Sequence, residues 1–322
     1  MRDVVVFIEH AHGQPRRVSL EMVSQAKEIA SALRGAVHAV VLGKNASAVA
    51  EALKSYPADK IHVTEDSDVE NFSVDPVIDY MEAVARAVGP SLVMVPYTMI
   101  GRDIGSRLAA RLEAGQTADV NELTVQSGTV VCGSPKLGGT SIVGCTFKSE
   151  YGVAGIRPNS FKAAPAAAGG EMVALEKPAG KTYRIVVEEE VVEIAGDLGV
   201  EEASVVVSGG RGVGGPEPFK TILKELADAL GGTVGASRAA VDAGWISHSH
   251  QVGQTGKTIS PSLYFAVGIS GAIQHKVGMR TAGTIVAINK DASVPIAEFA
   301  DLLVAGDLFA IVPELTKQIR AN

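Results

Sequence analysis

The chain has 322 residues, 46% of them hydrophobic and 20% charged, with a formal net charge of −7. That length suggests two domains whose cores need no staples, and the acidic balance disfavours nucleic acid and anionic membrane surfaces as partners. Two cysteines, Cys132 and Cys145, are too few for a disulfide framework. Two half-buried thiols and a reducing compartment are expected. The N-terminal apolar run stops at Glu9 and His10, short of a secretory leader, and no run of about 18 apolar residues occurs. A cytoplasmic protein without membrane insertion is the expectation.

The first part alternates strand and helix patterns. Apolar β-branched runs at 4–8, 37–42, 60–63 and 92–95 read as strands. Between them, 18–33, 46–53, 76–88 and 100–112 have helical spacing, with Asp75 as N-cap and Pro76 at the first helical position of the third. This alternation predicts an N-terminal α/β domain on a parallel sheet. From about Thr117 short strands take over, at 122–126, 129–132 and 141–147, predicting an antiparallel β extension. The stretch "KAAPAAAGGEMVALEKPAGK" at 162–181 reads as a linker, and "YRIVVEEEVVEI" at 183–194 as a strand with a charged interruption. A second α/β pattern begins near Ala203. Its strands are expected at 204–207, 233–236, 263–267, 284–288 and 302–304, and its helices at 218–230, 272–279, 295–300 and 313–319. The expected domains are therefore 1–195 and a C-terminal doubly wound domain over 196–322, with ligands at the carboxyl ends of its strands.

The first strand of that half runs into "SGGRGVGG" at 208–215, where Gly210, Gly212 and Gly215 satisfy G-x-G-x-x-G after a strand and before a helix. Such glycines let backbone N–H groups approach a pyrophosphate; the plain alternative is a tight turn. A nicotinamide fingerprint also needs an acidic residue ending the second strand, and Ser237 and Arg238 stand there. They suit a phosphate or a flavin edge. Arg211, among glycines, reads as a ligand contact. The loop "SHSHQVGQTGKT" at 247–258 lacks the spacing of a phosphate loop, though 252–255 could cradle a ring or phosphate. His248 and His250 have no further ligand nearby to complete a metal site, and a solvated pair is expected. After the strand 263–267, Ser270 reads as an N-cap and His275 falls in the first turns of the helix that follows. A histidine and a helix end converging there suit negative charge. The structural alternative is a packed core histidine.

The segments "ASRAAVDAG", "VGQTGK", "LYFAVGISGAIQH", "TIVAINKD" and "GDLFAIVPEL", in this order, closely resemble the α subunits of the electron transfer flavoprotein family, and "IRPNSF" at 156–161 extends the likeness into the first half. The resemblance implies one FAD, held chiefly by the C-terminal domain. It implies a heterodimer with a β subunit for which the first domain is the platform. It further implies single-electron shuttling from acyl-CoA or other dehydrogenases, as in fatty acid β-oxidation, to a quinone oxidoreductase or another acceptor. It implies no catalytic residues and no metal. Carried over by motif, Arg211 and Ser237 contact FAD, Arg238 lies over the ring, and Val252, Gly253, Gln254 and Thr255 wrap the cofactor. Ser270, Gly271, Ala272, Ile273, Gln274 and His275 hold phosphate and ring, with His275 at the C2 carbonyl. Asn289 meets the adenosine side, and Asp307 and Leu308 the adenine end. If the histidine favours a flavin anion by ~1.4 kcal/mol, it raises a one-electron potential by about 59 mV. The chain departs from the family's pattern at Ser247–His250 and in "CGSPKLGGTSI". Three alternatives stand beside this reading: an electron-bifurcating relative that oxidises NADH, a nicotinamide-dependent oxidoreductase using the Gly210–Gly215 turn, and a nucleotide-sensing interaction module resting on the first domain's α/β pattern, which shows no phosphate loop of its own.

Overall fold

The computed structural model describes residues 2–70, 72–137, 139–166, 169–185, 187 and 199–321. The chain divides into two compact units, one from 1–136 and 140–193, the other from 137–139 and 194–322. The expected boundary at 195/196, and most of the strand expected at 183–194, lie outside the described residues.

In the first unit the strands are β1 (Val4–Phe7), β2 (His10–Ala11), β3 (Gln14–Pro15), β4 (Val37–Leu42), β5 (Lys60–Thr64), β6 (Leu92–Pro96), β7 (Gly115–Val120), β8 (Glu122–Gln126), β9 (Thr129–Lys136), β10 (Ser141–Cys145), β11 (Gly152–Ile156) and β12 (Glu171–Ala174). The helices are α1 (Arg17–Leu33), α2 (Ala46–Leu53), α3 (Ser67–Glu70), α4 (Val74–Val88) and α5 (Met99–Arg111). Seven strands form one parallel sheet in the order β12-β5-β4-β1-β6-β11-β7. β1, β4 and β6 are apolar on nearly every residue and wholly buried, because helices cover both faces of a parallel sheet. β8, β9 and β10 make the expected antiparallel extension, with Cys132 and Cys145 paired in register across β9 and β10. Cys132 is buried and Cys145 partly so; both are free.

Three expectations for this unit are corrected. The supposed linker contains β12, which pairs with β5 at the sheet edge. It is tied down by amide bonds from Ala166 to the Ser55 carbonyl and from Glu171 to that of Asp59; its small residues fit against a neighbouring backbone. β7 and β11 were absent from the expected sheet because Thr117, Asp119 and the glycines of β11 break apolar alternation. Arg157, at the end of β11, is 5% exposed and pairs through two 2.6 Å bonds with Asp119. Helix α4 starts at Val74 with Ser73 at the cap position, so Asp75 is not the cap. It lies in the first turn, where an acid favours the helix dipole, and pairs with Arg107 at 3.1 Å.

The second unit has β13 (Val205–Gly209), β14 (Thr233–Ala236), β15 (Leu263–Val267), β16 (Thr284–Asn289) and β17 (Leu302–Ala305), with α6 (Glu217–Lys220), α7 (Ile222–Ala229), α8 (Arg238–Asp242), α9 (Ile273–Met279) and α10 (Leu308–Ala321). All five strands are parallel, in the order β14-β13-β15-β16-β17. This is the doubly wound order that reverses between its first and third strands. Core clusters on both faces of the sheet centre on Val207, Phe265 and Leu223, and on Val206, Tyr264 and Met279.

Four helix expectations change here. The helix expected at 218–230 is broken at Thr221, whose backbone leaves helical values (φ −115°, ψ −101°). Its hydroxyl donates to the Glu217 carbonyl at 2.9 Å, a back-bond that bends helices. The segment expected at 295–300 is a single 3₁₀ turn, Pro295–Glu298. The last helix begins at Leu308 and carries Pro313 inside it. Asp307 caps it by accepting from the Phe309 amide at 3.1 Å. Finally, α9 starts at Ile273 with Ala272 at the cap position, so Ser270 is not its N-cap. Gly271 intervenes at φ +83°, and a Cβ there would lie 2.5 Å from the Ile296 nitrogen. Among the described residues no helix is long and apolar enough to cross a membrane.

Candidate functional site

A cavity of about 570 Å³ opens in the second unit, within the range of small-molecule and cofactor sites. Its walls come from the turn after β13, the start of α8, the loop 251–255, the segment from Gly268 into α9, and Asn289 at the end of β16. All of these follow the carboxyl ends of strands, on either side of the point where the strand order reverses. That is where ligands of open α/β sheets sit.

The glycine turn after β13 has a role different from the expected one. Gly210 and Gly212 spend their amides on the carbonyls of Val267 and Gly268, at 2.8 and 3.0 Å. A Cβ on Gly210 would lie 2.3 Å from the Gly268 oxygen, and one on Gly212 would lie 2.8 Å from it. These glycines let two strand ends meet; their N–H groups are not left for a phosphate. The tight-turn reading holds for both. The free amides are found on the other side of the contact. Among the described residues, the N–H groups of Ile269, Ser270, Gly271 and Ala272 donate to no other group. Successive unpaired amides form a concavity suited to an anion.

Charge follows the same logic. Arg211 and Arg238 line the cavity against one acid, Asp242, which is 3.2 Å from the Arg238 Nε. Arg211 makes no side-chain bond among the described residues. In a chain of net charge −7, this pocket is locally positive. Ser237, at the N-cap position of α8, keeps a buried hydroxyl with no hydrogen-bond partner.

The loop 251–255 is pinned from both sides. Val252 donates to the Ala236 carbonyl at 2.9 Å and Gln254 to that of Gln274 at 2.8 Å. Gln251, 2% exposed, donates through Nε2 to the Thr255 hydroxyl at 3.0 Å, which leaves the Thr255 O–H free to donate outward. Asn289 holds the neighbouring loop through an Nδ2 bond to the Ile269 carbonyl at 3.0 Å. His275, in the first turn of α9, is 6% exposed. Burial pushes its pKa down to about 4, so the ring is neutral near pH 7. The Val252 carbonyl opposes the shift, but Nδ1 completes no hydrogen bond.

The structure brings twelve of the sixteen predicted site residues to the cavity wall: Arg211, Ser237, Arg238, Val252, Gly253, Gln254, Thr255, Ser270, Ala272, Gln274, His275 and Asn289. Gly271 is buried against Ile296, and Ile273 is 75% exposed. Asp307 caps α10 and lies 3.8 Å from Lys290, and Leu308 is a core residue. Gln251, Gly268, Ile269, Ala239 and Val294 also line the cavity and were not anticipated. Gly268 and Ile269 adjoin Ser270, and Ala239 follows Arg238, so contiguity could have found them; nothing in the sequence marks Val294. The ring of His250 bonds the Val234 carbonyl through Nδ1 at 2.7 Å. Among the described residues no group of three His, Cys, Asp or Glu could hold a metal.

A positive cavity with unpaired amides at this switch point defines a nucleotide-binding α/β protein. The family model described as the electron transfer flavoprotein domain matches residues 4–180, and that of the electron transfer flavoprotein FAD-binding domain matches residues 199–280. The chain is 42% identical to the electron transfer flavoprotein subunit alpha of Mycobacterium leprae over 100% of its length and 99% of the relative. It is 38% identical to the subunit of the same name from Thermoanaerobacterium thermosaccharolyticum over 99% and 98%, and 39% to that from Megasphaera elsdenii over 99% and 96%. The chain belongs to the electron transfer flavoprotein family.

The residues present fit FAD. Arg211 and the amides of 269–272 match a diphosphate, and the orphaned Ser237 hydroxyl and His275 Nδ1 are buried polar atoms awaiting partners.

Proposed function

We propose that this chain is the α half of an α/β heterodimer that holds FAD in the cavity between β13 and β15 and carries electrons between a donor dehydrogenase and a separate acceptor. The observation that carries this reading is the cavity itself: arginines, unpaired amides and a neutral buried histidine converge at one switch point. FAD, when bound there, supplies a ring that takes up and gives back electrons one at a time. Arg211 and the 269–272 amides hold the diphosphate. The loop 251–255 shields one edge of the ring, and the Thr255 hydroxyl offers a donor. His275 holds negative charge at the ring edge by a hydrogen bond, as an uncharged donor in a low-dielectric wall.

The unit containing β1–β12 is the platform for the β subunit in this reading, and acyl-CoA or other dehydrogenases and a quinone oxidoreductase are the donors and acceptor it implies. Two free thiols accord with a reducing, cytoplasmic setting. A nicotinamide oxidoreductase is disfavoured because Ser237 and Arg238 line the cavity where a ribose-binding acid would stand. Co-expressed with its β partner, the chain should purify yellow and bleach on reduction by a dehydrogenase and its substrate. A colourless complex that takes up no added FAD would refute the proposal. Tight NADH binding and turnover by the complex would favour the bifurcating form.

A further inference from the structure

His275 meets the cavity on one side and a fixed partner on the other. Tyr264, the second residue of β15, is 0% exposed, and its hydroxyl lies 2.7 Å from His275 Nε2. The two rings are 6.0 Å apart and tilted by 49°. The opposite nitrogen, Nδ1, is buried and has no hydrogen-bond partner among the described residues. A neutral imidazole carries one proton, so the bond made by one nitrogen decides whether the other is a donor or an acceptor.

The direction follows from the relative donor and acceptor strengths of the two groups. Burial raises the phenol's pKa well above its ordinary value, so Tyr264 keeps its proton. A phenol O–H is a stronger donor than a neutral imidazole N–H, and the imidazole lone pair is the stronger acceptor. A neutral ring carries one proton, and with Nε2 accepting from the phenol that proton sits on Nδ1.

We propose that Tyr264 is a positioning residue for the flavin site: by donating to Nε2 it fixes His275 as the Nδ1–H tautomer and leaves that N–H for an anionic acceptor in the cavity. The role toward FAD rests on the proposed placement of the ring at His275; the tautomer does not. A tyrosine that only fills the core would change stability when its hydroxyl is removed, without altering the tautomer or the potential.

The test has two arms. In the full chain with its β partner and no FAD, ring-labelled histidine is observed by ¹⁵N NMR, with His275→Ala assigning the signals. A pyrrole-type Nδ1 and a pyridine-type Nε2 are expected, and Tyr264→Phe should erase or reverse that pattern. The wild-type spectrum alone decides the tautomer if the variant fails to fold. In the loaded complex, Tyr264→Phe should bind oxidised FAD within about threefold of wild type. It should hold the form carrying one more electron about tenfold less tightly, a fall of about 59 mV in the first potential. In a His275→Ala background the same change should move the potential no further. A wild-type ring protonated at Nε2 overturns the proposal whatever FAD does. The expected tautomer with an unchanged potential in Tyr264→Phe overturns the positioning role when His275→Ala does shift the potential. If neither variant shifts it, the placement of the ring at His275 falls and takes that role with it.

Discussion

The buried neutral state of His275 makes the second unit acid-sensitive, and the size of the effect follows from its surroundings. Burial lowers its pKa to about 4 in the folded chain, against an ordinary value of about 6.5 when unfolded. The unfolded state therefore binds a proton first as pH falls. The stabilisation is complete above pH ~6.5, declines as pH drops towards ~4, and is flat below. Between pH 8 and pH 5 the loss from this one residue is about 2 kcal/mol. Trp245, the single tryptophan of the chain, packs against the core of the second unit, so its emission reports that unit's unfolding. Urea melts of the flavin-free chain at the two pH values should show the loss, and His275→Gln should remove most of the difference while leaving other titrating groups in place. Equal pH dependence in wild type and His275→Gln would show that the ring is not held neutral by burial.

Arg211→Ala should weaken FAD retention by roughly 1.5–3 kcal/mol, the worth of a hydrogen bond to a charged group. Flavin release followed by fluorescence checks it, and retention equal to wild type would remove Arg211 from the site. Gly210→Ala should cost about 1–3 kcal/mol by overpacking, since its Cβ would press on the Gly268 oxygen. Gly215→Ala should be silent, having nothing within 4 Å; thermal melts with the reverse ranking would contradict the close approach of the two strand ends. Burial pushes the Cys132 thiol up to about 12, so iodoacetamide at pH 8 should label Cys145 well before Cys132. Mass spectrometry showing equal labelling of the native chain would contradict the packing of β9 on β10.

How much of this was legible in the sequence depended on what kind of signal each element carries. β1, β4, β6 and β15 declare themselves because strands buried on both faces must be apolar throughout. β12 does not, because an edge strand of a few residues among alanines and glycines looks like loose chain until its partner is known. β7, at the other edge, is masked by Thr117 and Asp119, and β11, though buried inside the sheet, by glycines that hide its apolar run. Helix ends were misplaced where a proline or a hydroxyl suggested a cap: Pro313 sits inside α10, and Ser270 stands outside α9.

The glycine pattern at 208–215 shows why a motif and its mechanism separate. The spacing did mark the cavity, since Arg211 and Gly212 line it. The reason is mutual: the turn after β13 must be bare so that the Gly268 backbone can close on it, and that closure frees the next four amides from any intrachain task. Glycine on one strand end thus creates the anion-binding capacity of the other. A sequence shows which residues lack a side chain; only the pairing of β13 with β15 shows which amides remain to be used.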